Sequence, residues 1–95
     1  MSRMELISDE HIERALSSLA WRREKSELVK VVRRHDFREA MRYVNDVADL
    51  AELVGHHPDI EVRWNTVTLR LSTHSLGGLT DADIDLALKI DALGQ

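Results

Sequence analysis

Between Asp36 and Val54 the apolar residues Phe37, Ala40, Met41, Val44, Val47, Ala48 and Ala51 return at steps of three and four. Only an α-helix gathers residues at that spacing into one continuous stripe. Gly55 suits the left-handed position that ends a helix, and Pro58 pushes His57 toward an extended backbone. A long amphipathic helix with a sharp exit into "GHHPDI" must lay its stripe on something, and the remaining sequence has to supply that surface.

It supplies strands. "LVKVV", Leu28 to Val32, is β-branched and predicts a strand, preceded by a short one near Trp21. Ile60, Val62 and Trp64 alternate with Glu61 and Arg63, and Val67, Leu69 and Leu71 alternate with Thr68 and Arg70, which predicts an antiparallel hairpin turning at Asn65 and Thr66. Two further helices frame the chain. Ser8 caps the first, "SDEHIERALSSLA", and Thr80 begins the last with Asp83 at capping-box spacing. The 95 residues therefore predict one domain, 1–95, of class α+β, with a mainly antiparallel sheet of about four strands and about three helices packed on one face. Both parities of "LVKVV" are apolar, so the other sheet face is expected to be covered by a second copy, in a homodimer or homotetramer.

Hydrophobic residues at 43% and charged residues at 32% give a globular balance. The net charge of -4 is spread along the chain, so the short basic clusters "WRREK" and "RRHDFR" read as solvated surface and no nucleic-acid-binding face is expected. With no cysteine, disulfides, zinc-thiolate sites and thiol nucleophiles are excluded. No N-terminal apolar run and no membrane span stand out, and a cytoplasmic protein is expected.

His11 falls in the first turn of a helix and reads as a surface residue, whereas His56, His57 and His74 fall at element ends, where side chains can converge on a cleft. Three uses are open to them: metal ligands, acid/base groups, or polar loop residues without a role. Adjacent residues point apart, and neither His-x-His nor HExxH spacing occurs, so metal is disfavoured. Acid/base work asks only that imidazoles titrating near neutrality reach a substrate. Spacing alone does not decide between that and idle loop histidines.

Glu52, three residues, His56-His57-Pro58, the aromatic Trp64, then Thr73-His74 and "GGLTDADIDLA" with Asp83 closely resemble the signature of the pterin-4a-carbinolamine dehydratase family, and the likeness extends upstream through "HDFREAMRYVNDVADLAE" to Trp21. The resemblance implies removal of water from a 4a-hydroxytetrahydropterin to give a quinonoid dihydropterin, in the recycling of a pterin used by aromatic amino acid hydroxylases. It implies neither metal nor organic cofactor. It assigns proton transfer to His56 and His74 and holding and polarising of the pterin to His57. Pro58, Thr73, Ser75 and Leu76 match positions lining the family's substrate site, Trp21 is a pocket wall or core, and Glu52 and Asp83 orient the histidines, or only face solvent and cap a helix. Two departures stand out: Val32 and Arg34 where the family often has aromatics, and Ser75 where it often has an acid. Some relatives act instead as a dimerisation cofactor of a transcription factor or as assembly factors, a role that does not need three histidines together.

Overall fold

The computed structural model describes residues 4–94. The Ser8 hydroxyl accepts the His11 backbone N–H at 3.1 Å and opens α1 (Asp9–Leu16). The chain continues through β1 (Arg22–Glu24), β2 (Glu27–Arg33), α2 (Phe37–Val54), β3 (Asp59–Arg63), β4 (Thr66–Leu71), a short 3-10 turn (His74–Leu76) and α3 (Asp81–Asp91). The four strands form an antiparallel sheet in the order β1-β2-β4-β3, so α2 carries the chain from an inner strand to the far edge and β4 returns to pair with β2. The α+β class and the strand and helix counts agree with expectation.

One sheet face makes the core. Leu28 and Val32 of β2 stand opposite Leu71 and Val67 of β4, and all four are buried against Ile12 of α1, Ala40, Tyr43 and Val47 of α2, and Leu86 and Ile90 of α3. Each fully buried leucine or valine contributes on the order of 2 kcal/mol through apolar area removed from water.

Two local expectations are corrected, for α2 and for the hairpin turn, and Lys30, whose side of its strand the alternation left open, is placed. The face that α2 buries is Ala40, Tyr43, Val47 and Ala51, while Phe37 remains 51% exposed. Two neighbouring stripes of this helix are apolar, and the one with the tyrosine meets the sheet. Lys30 points inward: it stands opposite the fully buried Leu69 and is itself only 4% exposed. Its ammonium is neutralised by Asp91 at 2.5 Å, the last residue of α3. The β3–β4 hairpin turns at Trp64 and Asn65, because Arg63 pairs with Thr66. Trp64 takes φ 53 there and is 66% exposed, so it leaves the strand's alternation. A positive φ at the first of two turn residues matches the twist of the flanking strands.

The outer sheet face is charged, contrary to the apolar surface expected from "LVKVV". Val29 lies in register between Arg22 and Arg70 and is buried, which leaves Val31 as the exposed valine of β2. Arg70 donates to Glu24 at 3.0 Å and to Glu27 at 3.3 Å, and Arg22 also bonds Glu24. The two guanidinium groups, Arg22 foremost, hold the Glu24 carboxyl below the usual carboxylate range.

Candidate active site

The end of α2, the start of β3 and the segment after β4 meet at one place. Gly55 closes α2 at φ 70, and the N–H groups of Gly55 and His56 both donate to the Ala51 carbonyl, at 2.9 and 3.2 Å. That tight exit throws His56 inward, toward the first turn of α3, and leaves His57 60% exposed. After β4, Thr73 and Gly78 pair with each other, the Thr73 N–H donating to the Gly78 carbonyl at 2.8 Å, and this clasp closes a loop that carries His74, Ser75 and Leu76. Gly77 takes φ 70 at the end of the 3-10 turn. At Gly78 a Cβ would stand 2.9 Å from the end of the Leu6 side chain, which lies over the clasp but is 55% exposed and has room to turn aside.

His56, His57, His74, Thr73 and Ser75 line one cleft of about 280 Å³, together with Ser72, Gly55 and Met4. Each histidine faces a carboxylate. His56 Nε2 lies 2.6 Å from Asp83 Oδ1, His57 Nε2 lies 2.6 Å from Glu52 Oε2, and His74 Nε2 lies 3.9 Å from Asp59 Oδ2. In the first pair Asp83 is fully buried and His56 partly so, whereas the other two pairs are exposed on both sides. Asp83 also closes the capping box of α3, so one side chain starts a helix and orients a histidine. Three imidazoles on one open cleft, each with a carboxylate beside it, can donate and accept protons at a bound polar heterocycle. Among the described residues no group of three or more histidine, aspartate or glutamate side chains is arranged to hold a metal.

Pro58 is half-buried beside His57, and Leu76, 39% exposed, ends the 3-10 turn; both flank the cleft rather than line it. Trp21 is not brought there. It is 7% exposed in the core, and its indole N–H donates to Asp91 at 2.8 Å. Asp59 and Met4 escaped sequence reasoning. Met4 reaches the cleft because Leu6 bridges to Thr80, a pairing no local pattern announces. A larger cleft of about 470 Å³ lies between residues 4–7 and α3, but it sets one histidine, His11, among Glu5, Asp81 and Asp85. Three imidazoles meet only in the smaller one.

The family model described as pterin 4 alpha carbinolamine dehydratase matches residues 5–93. A protein of Nocardia farcinica named "Putative pterin-4-alpha-carbinolamine dehydratase" is 52% identical over 92 residues, 96% of this chain and 97% of that one. A protein of the same name from Acidobacterium capsulatum is 52% identical over 91 residues, covering 95% and 99% of the two chains. Among solved structures, the transcriptional coactivator/pterin dehydratase of Brucella melitensis superposes with a TM-score of 0.89 at 28% identity, covering 96% of this chain and all of that one. A pterin dehydratase-like protein identified as a RuBisCO assembly factor in the alpha-carboxysome matches with a TM-score of 0.64 at 27% identity, over 78% of this chain and 88% of that one. Matched from Glu5 to Leu93, with about half its residues shared with two such relatives, the chain belongs to the pterin 4 alpha carbinolamine dehydratase family.

Proposed function

We propose that this protein removes water from a 4a-hydroxytetrahydropterin to yield the quinonoid dihydropterin, using imidazoles as acid and base. The observation that carries the reading is the meeting of His56, His57 and His74 around one cleft, each facing a carboxylate. In this reaction the C4a–O bond breaks and the oxygen leaves as water after taking a proton from an imidazolium. A ring proton passes to a neutral imidazole as the new double bond forms, so the sum is loss of one water with no redox change. His56 and His74 exchange these protons, and His57 holds and polarises the ring. Thr73 and Ser75 lie against the pterin, with Pro58 and Leu76 at its margin. Glu52 orients His57 and Asp83 orients His56. The protein works as a homodimer or homotetramer in the cytoplasm, returning the pterin to the cycle of an aromatic amino acid hydroxylase.

The test is a dehydration assay with purified protein and a graded set of variants. His56→Ala and His74→Ala are expected to cut turnover by about 10²-fold or more, the usual worth of a positioned acid or base. His57→Ala is expected to raise KM more than it lowers kcat. Likeness to a coactivator/dehydratase and to an assembly factor supports a second reading, a non-enzymatic partner protein. Unchanged turnover in both His56→Ala and His74→Ala would make that reading the better one.

A further inference from the structure

A histidine that exchanges protons needs one ring nitrogen held and the other left free, and the surroundings of Asp83 do this for His56. The inference rests on the acid/base reading above. Asp83 is fully buried and faces three donors: His56 Nε2 at 2.6 Å on Oδ1, and the Thr73 hydroxyl at 2.8 Å and the Thr80 backbone N–H at 2.9 Å on Oδ2. A carboxylate offers acceptors alone, so all three partners donate. The one hydroxyl proton of Thr73 is thereby committed to Asp83. Its 2.8 Å contact with the Thr80 hydroxyl must then be filled by the Thr80 proton, while Thr80 Oγ1 accepts the Ala82 N–H at 3.2 Å. A single donor order satisfies every group, running from Ala82 N–H through Thr80 and Thr73 to Asp83. Thr73 and Thr80 are 4% and 1% exposed, so water does not compete for these bonds.

We propose that Thr73 and Thr80 are positioning residues which, through Asp83, keep the proton of neutral His56 on Nε2 and reserve Nδ1 for exchange with the substrate. Thr80 does not line the cleft, so its hydroxyl reaches the chemistry only through Thr73 and Asp83. The reversed tautomer would turn a lone pair of His56 toward a carboxylate that has no proton to give.

The test pairs kinetics with nitrogen NMR of the imidazole rings in the whole chain. Thr80→Val is expected to lower kcat about three- to tenfold, the worth of one buried hydroxyl bond, with KM changed by less than about twofold. Thr80→Ser, which keeps the hydroxyl, restores kcat. Equal kcat in Thr80→Val and Thr80→Ser overturns the proposal. Because Thr80 also caps α3, Thr80→Val is liable to unfold, and the unmodified protein then decides: neutral His56 must carry its proton on Nε2, and a proton on Nδ1 overturns the proposal. Failure of the enzyme reading looks different, since the parent would then show no dehydration whatever the tautomer of His56.

Discussion

Asp83 and Asp91 sit on the same helix, one in its first turn and one at its last residue, and both are drawn into the protein interior. Their surroundings are opposite. At the N-terminus the helix dipole favours a carboxylate, and Asp83 is satisfied by a backbone N–H, a hydroxyl and a histidine ring. At the C-terminus the dipole opposes a carboxylate, and Asp91 is held by the Lys30 ammonium, with the Trp21 indole and the Ala20 N–H as further donors. Of these partners only His56 has a ring with two nitrogens, one able to donate while the other accepts. The comparison teaches how one helix can use two buried carboxylates differently: Asp83 caps α3 and holds the His56 ring at the cleft, and Asp91 clamps the β1–β2 hairpin onto α3.

The largest effect is expected from breaking the clamp. Asp91→Ala leaves the Lys30 ammonium, 3% exposed, without a counter-charge, at a cost of about 3–5 kcal/mol. That is a large share of the roughly 5–15 kcal/mol that holds a small domain folded, so urea unfolding should shift markedly or the chain should fail to fold. Adding Lys30→Met to Asp91→Asn should recover only part of the loss: no charge remains, but the Trp21 and Ala20 N–H groups donate to different oxygens of Asp91 and an amide keeps one of the two. Asp83→Asn should instead cut turnover about 10- to 100-fold by misorienting His56. If Asp91→Asn, assayed where it is still folded, lowers kcat as far as Asp83→Asn does, the division of labour along α3 is wrong.

Much of this contrast was hidden in the sequence for a physical reason. Local signals were readable: Gly55 at the end of α2, Thr80 with Asp83 at the start of α3, and the buried alternation of Val67, Leu69 and Leu71. Each depends on residues a few positions apart. The partners of Lys30, His56 and His74 are distant in the chain, and nothing in "LVKVV" says that its lysine turns inward to meet Asp91. Periodicity also failed to choose between adjacent apolar stripes of α2, where Phe37 and Tyr43 both fit a helical repeat and only packing on β4 selects the tyrosine. The trio of cleft histidines was visible through its motif, and Asp59 was not, because its nearness to His74 comes from strand register.

A smaller effect belongs to the same end of the molecule as Asp91. Tyr43 is the only tyrosine, its hydroxyl is buried without a hydrogen-bond partner among the described residues, and the Arg34 guanidinium lies 4.6 Å from its ring centre. Burial, with a minor push from Asp91, raises its ionisation from the ordinary 10.0 to about 12. A phenol whose pKa is higher folded than unfolded favours the fold below its unfolded value, and that stability is lost as pH climbs from about 10 through about 12. Near-ultraviolet absorbance reads this one phenolate directly. Tyr43→Phe should flatten the alkaline loss of thermal stability and shift stability at neutral pH by no more than about 1 kcal/mol, since no hydrogen bond is given up. A phenolate midpoint near the ordinary value would show the ring to be far wetter than its 3% exposure implies.

The smallest effects should come from the two exposed carboxylates. Glu52 and Asp59 face His57 and His74 much as Asp83 faces His56, yet their side chains are 78% and 65% exposed and water competes for both partners. Exposed ion pairs contribute about 0–1 kcal/mol and weaken with salt. Glu52→Gln should therefore change KM by less than about fivefold, and Asp59→Asn, across the longer 3.9 Å gap, should change kcat by less still. Raising the ionic strength of the parent enzyme should reproduce both changes, because screening removes what the substitutions remove, and it should leave the effect of Asp83→Asn intact. A loss in Asp59→Asn as deep as that in Asp83→Asn, persisting in high salt, would mean that the cleft closes over His74 when substrate binds and that burial in the free protein does not rank these carboxylates.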